Sequence, residues 1–123
     1  MKHAWINGSW ETGSGKKRTI ENPATWETLA ELYDSSSEQV DRAVKAAEAA
    51  FMKTEWPRNP LFRKEVLQKA SVLLQERAEE FAELETLNTG KPLRESFIDI
   101  EDAAACLHYY AGLIPDALTQ KNK

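Results

Sequence analysis

The residues best able to do chemistry lie close together between positions 99 and 110. Cys106 is the only cysteine. A cysteine acts as a nucleophile only as a thiolate, which needs a base, a nearby cation or a helix N-terminus to lower its pKa. His108 follows two positions later, a separation at which side chains do not face each other on a helix. The run Ala103-Ala104-Ala105 before it predicts instead a buried sulfur packing as a small hydrophobe. Asp99 and Asp102 stand three apart, which on a helix sends both carboxylates to one face. With Glu101 they read in three ways: a solvated acidic surface, acids favoured by a helix restarting near residue 98, or an anionic patch that attracts a cationic ligand. Tyr109 and Tyr110 read as core or interface rings whose hydroxyls reach polar partners, or as the lining of a pocket.

Other chemistries are excluded by what the sequence lacks. There is no Gly-x-Gly-x-x-Gly, no phosphate loop and no Gly-x-Ser-x-Gly nucleophile turn. Gly13-Ser14-Gly15 has no strand-turn-helix context, so it predicts a loose, flexible hairpin connection rather than a phosphate cradle. His3 and His108 have no thiol or carboxylate cluster at metal-ligand spacing, which argues against a structural zinc. The net charge is −4 with acids and bases interspersed, so no basic stripe is available to follow a nucleic acid. A single cysteine allows no internal disulfide. Apolar runs fall far short of the roughly 20 residues that span a bilayer. The start, Met1 to Gly8, lacks the apolar core of a secretory signal, and the cytoplasm is the expected compartment.

The elements that must position these residues fall into two stretches of a 123-residue chain, a length suited to one domain. Residues 1–34 read as strands and turns. Asn7-Gly8 between Trp5-Ile6 and Ser9-Trp10 is a hairpin signal, because both turn positions need positive φ. Thr19-Ile20, closed by Asn22-Pro23, and Thr28 to Tyr33 read as further strands. Residues 35–118 read as helices, and 119–123 as a tail. Ser35 with Glu38 fits a capping box, and Val40, Ala43, Val44, Ala47 and Phe51 recur at helical spacing. Asn59-Pro60 opens the next helix. Its buried stripe is Phe62, Val66, Leu67, Ala70, Leu73 and Leu74. A break near Arg77 precedes Phe81, Leu84 and Leu87. Gly90 stops that helix, and the last runs from about Leu93 to Leu113, with Pro115 ending or kinking it. Several stripes are wider than this chain can cover, which predicts that they pack on something the chain does not contain. The alternative is a self-contained helical bundle with a small hairpin.

Taken in order, several segments resemble the aldehyde dehydrogenase superfamily: Trp5-Ile6-Asn7-Gly8-Ser9-Trp10, Glu21-Asn22-Pro23-Ala24-Thr25, Val40 through Phe51 with Trp56, Leu84 through Pro92, and Tyr109-Tyr110-Ala111-Gly112. The resemblance covers nearly the whole chain and implies a mixed α/β fold. That fold is mainly helical with short N-terminal antiparallel strands: part of the family's N-terminal region, without its doubly wound sheet. It implies oxidation of an aldehyde to a carboxylate with NAD or NADP. In that reaction a cysteine thiolate attacks the carbonyl and hydride passes to the nicotinamide. A glutamate-activated water releases the acid, and an asparagine steadies the oxyanion.

Those three residues come later in the family's sequence. Cys106 and Asn22 do not match them, so the chain is expected to be a truncated segment, to hold no cofactor alone and to be inactive alone. Two further implications concern named residues. Ile20 and Glu21, through backbone carbonyls, and Asn88, standing where the family has an aspartate, match a monovalent-cation site. Asp99 and Asp102 match an acidic pair that holds the ammonium end of the substrate in the betaine-aldehyde and aminoaldehyde branch. Ile98 departs from that branch, where an aromatic often precedes the first aspartate. The competing expectation is a small helical interaction protein whose exposed apolar faces support self-association or binding to a full-length relative.

Overall fold

The computed structural model describes residues 4–120, with side chains through Ile114. His3 and positions 121–123 of the expected 119–123 tail lie outside the described residues, while positions 119–120 continue the last helix instead of starting a tail. The chain divides into two compact units, Met1–Thr54 and Glu55–Lys123.

The first unit holds two antiparallel hairpins and a helix. β1 (Ala4–Ile6) pairs with β2 (Ser9–Glu11) across Asn7-Gly8, whose φ values of 49° and 81° are those of the predicted turn. The turn sets Trp5 opposite Trp10, with the rings edge to face at 5.3 Å. β3 (Lys17–Glu21) pairs with β4 (Thr28–Tyr33), and the register slips between Ile20 and Glu21. Their connection is organised by Asn22, whose Oδ1 accepts from the Ala24 N–H at 2.9 Å and whose carbonyl accepts from the Trp26 N–H at 2.7 Å. An asparagine folding its side chain back on the following backbone is a standard turn device.

The Gly13-Ser14-Gly15 connection is not loose. Gly13 is buried, and a Cβ there would lie 2.1 Å from the Tyr33 carbonyl oxygen. The Gly15 N–H donates to the Asp34 carbonyl at 2.7 Å.

α1 (Ser37–Lys53) begins at Ser36 rather than Ser35, with Gln39 rather than Glu38 as the reciprocal partner. The Gln39 N–H donates to Ser36 Oγ at 3.3 Å, and Gln39 Oε1 accepts from the Ser36 N–H at 3.0 Å. Gln39 is selected because its side chain is buried and does more than cap. Its Oε1 also accepts from the N–H and the hydroxyl of Ser14, and its Nε2 donates to the Thr12 carbonyl at 3.0 Å and to Glu11 at 3.3 Å. Glu38 reaches only Ser36 among these groups, and the buried bonds to Ser14, Thr12 and Glu11 belong to Gln39. The predicted apolar stripe of α1 is present but uncovered, with Val40, Val44 and Phe51 exposed by 53%, 62% and 54%.

The second unit is a trio of helices: α2 (Pro60–Glu76), α3 (Ala78–Thr89) and α4 (Leu93–Gln120). Asn59 caps α2 by accepting the Phe62 N–H at 3.0 Å, with Pro60 at the first position as predicted. Arg77 is the junction of α2 and α3. Gly90, at φ 77°, ends α3 in the left-handed conformation that favours glycine. α4 continues past position 115 to Gln120, so the expected stop near Leu113 is corrected. Small residues form the seam between helices: Ser71, Ala82, Ser96, Ala104 and Ala111 are buried. The Ser71 hydroxyl donates to the Ala104 carbonyl at 2.8 Å, and Thr86 Oγ1 lies 2.9 Å from Ser96 Oγ. Larger apolar residues sit on the flanks. Of the expected α2 stripe, Leu67, Ala70 and Leu74 are half-buried, while Phe62, Val66 and Leu73 are exposed.

Candidate functional site

The acidic pair lies in the first half of α4. Its position is set by the corner that joins α3 to α4: Gly90 reverses the chain, the Lys91 N–H donates to Thr89 Oγ1 at 3.2 Å, and the Ser96 N–H returns to the Pro92 carbonyl at 3.1 Å. The corner brings Lys91 onto α4, where its ammonium is ion-paired with Asp99 and stands 3.7 Å from Glu85. All three side chains are partly exposed. Asp99 therefore has a counter-ion, which the sequence reading missed. Asp102 is exposed and makes no ion pair or hydrogen bond among the described residues.

Around Asp102 the surface of α4 is apolar and aromatic. Ile98, Asp102 and Tyr109, at helical spacing, share one face. Ile98 is 50% exposed and Tyr109 61%. The rings of Tyr109 and Tyr110 meet edge to face at 5.4 Å. Cys106 is exposed, against the expectation of a buried sulfur, because among the described residues of its own unit this flank of the alanine-rich segment meets no neighbouring helix. Buried Ala104 and Ala111 mark the opposite, covered flank. A shallow depression of about 340 Å³ on the second unit is lined by Gln75, Ala78, Ile100 and Glu101, not by the acidic pair.

The residues expected to hold a monovalent cation fall in different units. Ile20 and Glu21 are at the end of β3, where the ladder slips, and Asn88 is exposed in the last turn of α3. Among the described residues no cluster of histidine, cysteine and carboxylates suits a metal ion. The described residues also do not fit a dinucleotide phosphate. The bare Gly13 and Gly15 lie against the backbone of Tyr33 and Asp34, and they open no helix. No described helix is long and apolar enough to cross a membrane.

A sequence profile of the aldehyde dehydrogenase family matches residues 10–123. The chain belongs to the aldehyde dehydrogenase family. It is 39% identical over 114 residues to aminoaldehyde dehydrogenase 2 of Zea mays, covering 89% of this chain and 22% of that protein. It is 37% identical over 124 residues to betaine aldehyde dehydrogenase 1 of Oryza sativa subsp. japonica, covering 97% of this chain and 24% of the relative. Among solved structures, betaine aldehyde dehydrogenase of Staphylococcus aureus in complex with NAD+ superposes with a TM-score of 0.85 at 32% identity, over 92% of this chain and 23% of that one. This aldehyde dehydrogenase chain thus spans between a fifth and a quarter of the length of these relatives. Its helices and short antiparallel strands match part of the family fold, as the resemblance implied.

Proposed function

We propose that this chain supplies the scaffold and one wall of the substrate passage of a cytoplasmic enzyme that oxidises a cationic aldehyde to the carboxylate with NAD or NADP. The substrate class is a betaine aldehyde or aminoaldehyde. The observation that carries the reading is Asp102: an unpaired carboxylate on an exposed apolar and aromatic helix face, in a chain whose relatives include dehydrogenases of both those aldehydes. An ammonium with an alkyl body finds there both a counter-charge and apolar surface, and carboxylate attraction strengthens as water is excluded. Asp99 extends the same acidic surface. The backbone carbonyls of Ile20 and Glu21 are proposed monovalent-cation ligands.

The 123 residues alone are proposed to bind no nicotinamide cofactor and to oxidise no aldehyde, with Cys106 no part of the catalysis. The purified chain, mixed with betaine aldehyde and NAD+, is expected to yield no NADH above buffer; clear turnover would overturn this. The substrate reading is tested by joining the chain to the remainder of the S. aureus enzyme. Asp102→Asn is expected to raise KM for betaine aldehyde about tenfold with kcat little changed, the signature of lost binding. An equal rise for uncharged propanal would refute the role of charge.

A second reading rests on the uncovered stripe of α1, Val40, Val44 and Phe51. A contiguous exposed apolar surface marks an association site. We propose that it supports self-association or binding to a full-length relative. Sedimentation should show assembly that Val44→Glu disrupts; a monomer at all concentrations that also fails to bind the relative would remove this reading.

A further inference from the structure

We propose that Asn7 is a site of self-modification. The backbone nitrogen of Gly8 attacks its side-chain amide and converts it to isoaspartate, at a rate set by how often the β1–β2 hairpin opens.

The sequence singles this asparagine out. Asn22 and Asn59 both precede proline, whose ring nitrogen has no hydrogen to lose and cannot attack. Asn88 precedes the β-branched Thr89 within α3. Asn7 precedes Gly8, the least hindered of neighbours, where even an added Cβ would meet nothing within 4 Å. Asn7 is exposed, and its side chain makes no hydrogen bond among the described residues.

The step balances with water as the only co-reactant. The Gly8 nitrogen gives up its proton and bonds to Asn7 Cγ. The Cγ–Nδ2 bond breaks, and ammonia leaves with that proton. Water then opens the cyclic imide at either carbonyl. Opening at Cγ gives aspartate and leaves the chain as it was. Opening at the backbone carbonyl gives isoaspartate, in which the chain runs through Cβ and Cγ and is longer by a methylene.

The folded hairpin holds this reaction back. The φ values of 49° and 81° at Asn7 and Gly8 belong to the mirror-image type I turn. Such a turn sets ψ of its first central residue at about +30°, which carries the following nitrogen to the far side from the side chain. Ring closure needs that bond turned by nearly half a revolution, and the paired strands forbid it. Three contacts keep them paired. The Trp5 and Trp10 rings meet edge to face, and the Ser9 hydroxyl donates to the Ile6 carbonyl at 3.2 Å. Ile6 is buried and shares a hollow with Ala43, Ala46 and Ala47 of α1. The aspartate product keeps the hairpin, because Asp-Gly suits the turn as Asn-Gly does. The isoaspartate product does not: the added methylene destroys the register that sets Trp5 opposite Trp10 and draws Ile6 away from α1.

The purified chain is incubated in warm, mildly alkaline buffer, digested and mapped by mass spectrometry. Labelling by an isoaspartyl methyltransferase tells isoaspartate from aspartate. Acid should appear at Asn7, mostly as isoaspartate, and not at Asn22 or Asn59. The native chain should convert more slowly than the chain in urea. Trp10→Ala, which lacks the ring pair, should convert about fivefold faster than the wild-type chain. Ser9→Ala, the milder change, should convert about threefold faster. Protection of the Gly15 N–H from exchange reports that the rest of the unit stays folded in each variant. If Trp10→Ala loses that protection, Ser9→Ala decides. A native chain that stays unconverted at Asn7 while the chain in urea reacts would overturn the proposal. So would equal rates in the two conditions, or a folded variant that converts no faster than the wild-type chain.

Discussion

Gln39→Ala is expected to loosen the first unit by about 2–3 kcal/mol. The figure comes from the groups that lose a partner. The Ser14 N–H, the Ser36 N–H and the Thr12 carbonyl all meet the Gln39 amide, at 2.9, 3.0 and 3.0 Å. Each is worth about 1 kcal/mol net, and water reaching Ser14 and Thr12, which are exposed residues, returns part of the loss. The assay is amide hydrogen exchange. The Gly15 N–H, bonded to the Asp34 carbonyl, reports the connection that Gln39 holds in place. A loss of 2 kcal/mol corresponds to exchange faster by about thirtyfold. The Gly90 N–H, bonded to the Thr86 carbonyl in the other unit, should be unaffected. Gln39→Glu should fall between, since it keeps the acceptor but loses the donor and sets a second carboxylate beside Glu11. A change under twofold at Gly15, or equal acceleration at Gly90, would refute the reasoning.

Gly13→Ala should destabilise the first unit by about 2–4 kcal/mol, because the added methyl meets backbone atoms of Tyr33 and Asp34 that no rotamer change can move aside; urea unfolding of the variant measures it. Asp34 is held below the ordinary carboxylate value of 3.8 by its hydrogen bond from Arg18, then by the charge of that guanidinium. Such a depressed group contributes stability that is complete above that ordinary value and lost as pH falls through the lower folded one. The β3–β4 hairpin should therefore weaken below about pH 4, less so in Asp34→Asn, as an acid titration followed by amide shifts would show. Cys106, being exposed, should react with a thiol reagent in the native chain nearly as fast as in denaturant; strong native protection would show that the α4 flank is covered in solution.

Signals carried by one or two adjacent residues were legible in the sequence. Asn7-Gly8, Asn59-Pro60 and Gly90 each impose a local backbone geometry that no distant partner alters, and each stands where it was expected. The first helix start was less legible because Ser35, Ser36 and Ser37 all make good caps, and the choice fell to Gln39 through Thr12 and Glu11, far away in sequence. Gly13-Ser14-Gly15 failed as a flexible linker for the same reason: its partners lie at Tyr33, Asp34 and Gln39. Lys91 carried no signal, since eight positions separate it from Asp99 and only the corner at Gly90 makes them neighbours. Cys106 was misread because alanine-rich composition shows that a helix is apolar without showing which flank meets another helix.

The serine and alanine seam of the second unit has a calorimetric consequence. Among the described residues its largest fully enclosed side chain is that of Ser96, so the helices are held by backbone approaching backbone rather than by interlocked large side chains. Heat capacity on unfolding follows the greasy area newly wetted, and here much of that area is wet from the outset. The unit should melt over a wide temperature span with a shallow denaturant slope, below what its length would suggest.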